Sequence, residues 1–199
     1  MTTALVILGG YLLGSMPFGY WLIRLVKSED IRRAGSGSIG ASNVWRAYGR
    51  WYGVPVVVLD IAKGFVPALV GTILVDELTG ALAGGLAMLG HWRPLFLRFQ
   101  KGGKAVATAA GTLFGIATLL GLIATGLWLT TFLVSRYTSV ASIVVAVALP
   151  FAALVLGEPW PVVVFAVAAA VAVLLLHRPN IARLRAGTES RFALRRRAA

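Results

Sequence analysis

Three stretches of this sequence crowd glycines, small hydroxyls, cations and an asparagine or histidine together at short spacing. RRAGSGSIGASNVWRAYGR runs from Arg32 to Arg50, GHWRPLFLRFQKGGKAVATAAG from Gly90 to Gly111, and HRPNIARLRAGTESRF from His177 to Phe192. That mixture suits anion binding. Glycine lets the backbone approach a ligand closely. Consecutive N–H groups form anion-binding nests, and helix N-termini add to them. Arg grips a phosphate with two parallel hydrogen bonds, while Lys supplies a point charge. Any single Gly or Ser here is explained equally well by close turn packing; three such segments together favour a site.

Two motif matches do not carry soluble nucleotide chemistry. Gly35-Ser36-Gly37-Ser38-Ile39-Gly40 fits GxGxxG, but a long apolar run and a charged stretch precede it rather than a strand of a βαβ unit. Gly102-Gly103-Lys104 resembles the end of a P-loop, but the full GxxxxGK[ST] is absent and Ala105 follows the lysine. The physics of backbone amides around a phosphate survives in both.

Other polar groups admit two readings each. Asp60 and Lys63 lie three residues apart in an apolar run, hence on one helix face. Each costs roughly 2.5–3.5 kcal/mol at mid-membrane. They read either as a neutral packing pair or as a cation held at a polar cleft by its carboxylate. His91 and His177 each open a polar segment, where a histidine can satisfy free helix carbonyls or serve the site. Asn180 is either the N-cap of a short basic helix over 181–185 or a site residue. Ser139 and Ser142, close to Arg136, either bond their own helix or face the site. Two histidines, no cysteine and no HExxH exclude an ordinary zinc centre. Neither histidine begins an HxxxxD motif, since the fifth residue after His91 is Phe96 and the fifth after His177 is Ala182.

The elements that must position these groups are apolar helices. Of the 199 residues, 58% are hydrophobic and 13% charged, with a mean hydropathy of +0.84. Soluble domains run about 45–50% apolar and about 25% charged. Disorder is excluded by the hydrophobicity, and a disulfide scaffold by the lack of cysteine. The spacing of polar breaks predicts spans over about 3–23, 52–75, 78–90, 105–120, 121–134, 138–156 and 161–176, with motif loops over 32–50, 90–111 and 177–192, all in one polytopic domain. No cation precedes the first span, so it reads as uncleaved with its N-terminus outside.

The uncharged run from Ala105 to Val134 decides the count. As a hairpin turning near Gly121, it puts 18 of the 19 basic residues on one side and Asp76, Glu77 and Glu158 on the other. As one helix, it would place the basic tail outside, against the positive-inside rule. The expected fold is therefore an all-α integral membrane protein with seven transmembrane helices, N-terminus outside and C-terminus cytoplasmic. The net charge of +12 follows from that topology and from attraction to anionic lipid, with Arg195-Arg196-Arg197 as a membrane-surface tail. Nucleic acid is not expected as a partner. A small transporter for a phosphorylated metabolite would share these features, but transporters commonly show internal repeats and midplane sites. Here no repeat is found and the motifs share one side.

GSGSIGASNVWR, LDIAKG, GHWRPLFLRFQKGGKAVAT, SRYTSVAS and HRPNIARLRAGTESR, in this order, resemble the bacterial PlsY-type acyl-phosphate:glycerol-3-phosphate acyltransferases, from Gly14 to Arg191. The resemblance implies a seven-span inner-membrane enzyme with its active site at the cytoplasmic face. Such an enzyme moves an acyl chain from acyl phosphate to the 1-hydroxyl of sn-glycerol 3-phosphate, giving lysophosphatidic acid and phosphate at the start of phospholipid synthesis. It implies Ser36, Lys104 and His177 as catalytic candidates. Gly37, Ser38, Gly40, Asn43, Arg46, Gly102, Gly103, Ser142 and Asn180 become substrate-binding candidates, with Asp60, Lys63, Arg136, Arg183 and Glu189 behind them. No metal or cofactor is expected. Membrane lipid and an upstream acyl-phosphate-forming enzyme are the candidate partners. The chain departs from the family pattern at Ser38 (Asn expected), Ser42 (Thr) and Ala105 (Gly). The methyl of Ala105 sits where the backbone should come closest to phosphate. In such a reaction His177 either takes the proton of the attacking hydroxyl or only positions glycerol phosphate while an acyl-phosphate oxygen takes it. The lack of an obvious carboxylate partner for His177 favours the second.

Overall fold

The computed structural model describes residues 1–192; the Arg195–Arg197 tail lies outside the described residues. Every regular element among those residues is helical. The α-helices are α1 (Thr2–Gly14), α2 (Phe18–Lys27), α3 (Ala41–Tyr48), α4 (Arg50–Leu74), α5 (Glu77–Trp92), α6 (Val106–Ile116), α7 (Thr118–Ser135), α8 (Thr138–Val155), α9 (Trp160–Leu176) and α10 (Arg178–Arg185). Their flanks are apolar: Leu8, Ile73, Leu122, Phe151 and Val155 all stand exposed, as they would facing lipid.

Small residues let the helices approach closely. Gly10 and Gly14 of α1 lie against the backbone of Ala83 and Ala87 of α5. A small residue every fourth position on both sides is the pattern of membrane helix pairs. The matching order of those contacts makes α1 and α5 parallel, so the N-terminus lies at the same end as Asp76 and Glu77. Helix α4 forms the centre of the bundle. Its Gly64 meets Thr108, its Phe65 meets Gly111 and its Leu69 meets Gly115, so α4 and α6 also run parallel. The three motif segments therefore collect at the opposite end from residue 1.

The boundaries differ from the sequence expectation in four places. The first apolar run is broken at Ser15–Pro17, because proline lacks an N–H and cannot continue the ladder. The Met16 carbonyl at this break accepts a hydrogen bond from Lys63 Nζ at 3.2 Å. The 30-residue run does fold back, but at Ala117 rather than near Gly121. Ala117 leaves the helical region at φ −154° and ψ 79°, and Gly121 packs against Leu113 and Phe114 across the turn. An uninterrupted helix would hold residues 114 and 121 about 10 Å apart along its axis. Helix α6 begins at Val106 and ends at Ile116, short of the expected 105–120, which leaves it 11 residues. The last basic helix begins at Arg178, not after Asn180, so Asn180 lies inside α10 and caps nothing.

Four stretches are long and apolar enough to cross a membrane: Thr2–Lys27, Arg50–Leu74, Thr118–Ser135 and Thr138–Val155. Trp160–Leu176 joined to α10 across a 55° bend is a fifth. Helix α5, with 16 residues, and α6 are shorter than the roughly 20 residues of a full crossing.

Candidate active site

A cavity of about 350 Å³ opens where the three motif segments meet. Ser36, Ser38, Gly40, Asn43, Arg46, Asp60, Lys104, Ser142, His177 and Asn180 all line it. The first loop is shaped from within by Asn43. Its Nδ2 donates to the carbonyls of Ala34 (3.0 Å) and Ser38 (2.8 Å), and its Oδ1 accepts from the Ser36 amide at 2.9 Å. Gly35 and Gly37 make the turn at φ +54° and +69°, values that favour glycine. Both ends of the Asn43 amide are thus committed to the loop backbone.

Three helix N-termini converge on the cavity. Gly40, Ala41 and Ser42 open α3; Ala105, Val106 and Ala107 open α6; His177 and Asn180 open α10. First-turn amides have no partner within their own helix, and each helix start carries about half a positive charge. Lys104 and Arg46 add full charges. Lys104 Nζ donates to Asn180 Oδ1 at 2.5 Å, which leaves two ammonium hydrogens for a ligand. Burial lowers the Lys104 pKa to about 8; Glu189 opposes this, while Arg183, Arg46 and Lys101 reinforce it. Arg46 Nη2 donates to Thr138 Oγ1 at 2.9 Å, and its guanidinium lies 5.5 Å from the Phe192 ring centre.

Behind the cavity stands Glu189. Its carboxylate accepts from Ser139 Oγ (2.7 Å), Asn180 Nδ2 (2.6 Å) and Arg183 Nε (2.7 Å). Burial raises its pKa, but these three bonds and the Arg183 charge outweigh that and hold it below the usual range. The chain Glu189–Asn180–Lys104 fixes the orientation of the Asn180 amide. His177 Nδ1 lies 2.8 Å from the Val173 carbonyl. A carbonyl only accepts, so Nδ1 carries the proton and Nε2 keeps its lone pair. Burial and the nearby Lys104 charge lower the His177 pKa to about 4, so the ring is neutral at pH 7.

Several residues play parts other than the expected ones. The amides of Gly102 and Gly103 donate to the Trp92 and His91 carbonyls at 2.9 and 3.0 Å, so they do not face a ligand. These glycines serve close packing against Pro94 and the His91 ring. Ala105 is buried at φ +58°, a left-handed conformation that disfavours a side chain. Ser142 Oγ donates to its own helix at Thr138 (2.8 Å) and accepts from Trp128 Nε1 at 3.1 Å. Lys63 lies 2.8 Å from Asp60 and outside the cavity lining. Arg136 contributes its carbonyl, which accepts from the Phe192 amide at 2.8 Å. His91 does not cap α5; its ring turns inward and lines the cavity. Sequence reasoning singled out neither Trp128, which sits in a plain span, nor Thr138, which lies within the SRYTSVAS motif.

Away from the polar end, the cavity walls are Leu113, Phe114, Ala124, Leu129, Val145, Leu149, Ala169 and Val173. One cavity thus has a cationic end and an aliphatic end. The family model for glycerol-3-phosphate acyltransferase matches residues 4–187. A glycerol-3-phosphate acyltransferase of Desulforamulus reducens is 44% identical over 190 residues, covering 95% of this chain and 94% of the relative. One of Rhodospirillum rubrum is 45% identical over 200 residues, covering 96% and 92%. This chain belongs to the glycerol-3-phosphate acyltransferase family. A crystal structure of PlsY, an integral membrane glycerol 3-phosphate acyltransferase, in its glycerol 3-phosphate form matches with a TM-score of 0.93 and 39% identity, covering 97% of this chain and 96% of that one. Its lysophosphatidic acid form matches with a TM-score of 0.89 and 38% identity, at the same coverage. The acyltransferase fold is therefore shared over almost the whole chain, motif loops included.

Proposed function

We propose that this membrane acyltransferase moves a fatty acyl group from acyl phosphate to the 1-hydroxyl of sn-glycerol 3-phosphate, at the cytoplasmic face of a bacterial inner membrane. The observation that carries this reading is the split character of this cavity. Lys104, Arg46 and three helix starts wall its polar end, and aliphatic side chains wall the other. Two phosphate-bearing reactants fit such a site, one with an alkyl tail that belongs in lipid. A transporter for a phosphorylated metabolite has no support, since the family and the relatives matched are acyltransferases.

In the reaction, the 1-hydroxyl oxygen bonds to the acyl carbonyl carbon and the carbon–oxygen bond to phosphate breaks. Phosphate leaves as an anion, so little acid assistance is needed. The protein's task is to hold two mutually repelling anions in attack geometry, and orientation of this kind supplies roughly 7–11 kcal/mol in favourable cases. Lys104, Arg46 and the α3 and α6 amides screen the repulsion and stabilise developing charge. The bare Nε2 of His177 accepts a hydrogen bond from the hydroxyl and aims it. Its Nδ1–H is spent on the Val173 carbonyl, so no carboxylate supports the imidazolium that a general base would become. The proton therefore passes to an oxygen of the departing phosphate. Ser36, exposed at the cavity mouth, and Asn180 complete the polar end, while Asn43, Arg183 and Glu189 hold its shape.

Seven crossings with the N-terminus outside agree with the parallel α1 and α5 and with the basic residues gathered around the motif loops. An acyl-phosphate-forming enzyme is the partner this donor calls for. Purified protein in detergent, given acyl phosphate and glycerol 3-phosphate, is expected to release phosphate only when both are present. Activity with acyl-CoA and none with acyl phosphate would refute the donor. Cysteines placed at positions 46 and 104 are expected to be labelled from the same, cytoplasmic side; opposite sides would refute the topology.

A further inference from the structure

His91 is buried in the last turn of α5, with 4% of its surface exposed, and its two ring nitrogens face different surroundings. Nδ1 is sealed off without a hydrogen-bond partner, 3.6 Å from Asp60 Oδ1. Nε2 points to the seam between the first two motif loops. A methyl built on Gly40 would come within 4.0 Å of it, and one built on Gly103 would overlap the ring. The ring lines the cavity there, and no described residue takes its Nε2. Asp60 behind it is held by Lys63 at 2.8 Å, and Lys63 is in turn anchored on the Met16 carbonyl at 3.2 Å. A row of polar groups thus crosses the bundle core and ends on an imidazole nitrogen in the cavity.

Such a row costs several kcal/mol unless every member is satisfied. Asp60 and Lys63 satisfy each other, but His91 does not. A ring used only as filler would be served by an apolar side chain with no polar atom to desolvate. Nδ1 is sealed from the cavity, so a ligand can reach the ring only at Nε2, which no side chain or backbone group among the described residues engages. We propose that His91 is a phosphate-binding residue, donating Nε2–H to an oxygen of a reactant's phosphate between the loops at Gly40 and Gly103, with Asp60 orienting the ring from the Nδ1 side. A carboxylate at 3.6 Å is placed to take an Nδ1–H once the phosphate's charge favours a doubly protonated ring.

This rests on the phosphate chemistry proposed above, and the unmodified enzyme's turnover with acyl phosphate tests that separately. The test is a set of three replacements read by steady-state kinetics in detergent, with KM measured for each substrate. His91→Gln carries an amide N–H to the Nε2 position, His91→Asn carries one only as far as Nδ1, and His91→Phe fills the space with no polar atom. A hydrogen bond to a charged group accounts for roughly 10–100-fold. Gln is expected to stay within about fivefold of the unmodified enzyme. Asn and Phe are expected to raise one KM by tenfold or more with a smaller change in kcat. Whichever substrate's KM rises, glycerol 3-phosphate or acyl phosphate, identifies whose phosphate is held. Should Phe fail to fold, Asn serves in its place, with thermal unfolding in detergent certifying the fold. An unchanged KM in folded Phe or Asn protein, a loss in folded Gln protein as large as theirs, or a fall in kcat with neither KM altered would overturn the proposal.

Discussion

Lys104 couples its own titration to substrate binding, and the coupling can be sized. In the free enzyme its pKa is about 8, chiefly because burial disfavours the ammonium. A phosphate oxygen about 4 Å from Nζ interacts with it by about 4 kcal/mol at an effective dielectric of about 20. At 1.36 kcal/mol per pKa unit, that lifts the bound-state pKa by about 3 units, to about 11. The sign follows directly: the protonated lysine binds, so affinity is lost as pH rises through 8 and not as it falls. Free-enzyme groups govern kcat/KM, whereas groups in the complex govern kcat. So kcat/KM for glycerol 3-phosphate is expected to fall with unit slope above pH 8, by about 30-fold at pH 9.5. Over the same range kcat is expected to stay level. Lys104→Arg keeps a charge that does not titrate below pH 12, so it should flatten this limb while lowering the absolute rate, because the fork does not replace a point charge. Initial rates of phosphate release, corrected for alkaline hydrolysis of acyl phosphate, give both curves. A flat kcat/KM profile from pH 7.5 to 9.5, or the same limb in the arginine variant, refutes the role of this charge.

Three further outcomes test neighbouring parts of the site. His177→Ala should keep kcat within about tenfold at saturating substrate while KM for glycerol 3-phosphate rises; a loss of kcat in the 10²–10⁴ range would make the imidazole the general base instead. Glu189→Gln preserves volume but weakens the contacts to Asn180, Ser139 and Arg183. Unfolding in detergent should show a loss of about 1–3 kcal/mol, and an unchanged melting temperature would mean that Glu189 does not hold the site together. At Ala105 the left-handed backbone costs roughly 1–2 kcal/mol, while glycine costs about 0.4–1 kcal/mol through the unfolded chain. Ala105→Gly should therefore be neutral or stabilise by up to about 1.6 kcal/mol, whereas Ala105→Val should destabilise clearly; equal melting temperatures for the two would contradict the strain.

Helix content, the membrane setting and the three motif segments were legible because each depends on neighbours close in sequence. Runs of apolar residues announce helices in lipid, and glycines beside cations announce an anion site. The resemblance of five motifs in order carried the reaction class. The hairpin in the uncharged run was legible only through the charge balance of the segments around it. Its turn at Ala117 was not, because no proline or charge marks it, the nearby Gly115 serves packing on α4, and the packing of Gly121 on Phe114 closes it.

The tertiary structure decided which polar groups face the ligand. Gly102 and Gly103 looked like phosphate amides, yet their N–H groups end on the carbonyls of α5. His91 looked like a helix cap, yet its ring enters the cavity because Asp60, from another helix, lies behind it. Lys104 meets Asn180 across 76 residues of chain, and Arg46 meets Thr138 across 92. Composition and periodicity report a residue's surroundings a few positions away. The direction in which a side chain donates is set by partners that only the folding of distant helices brings within 3 Å.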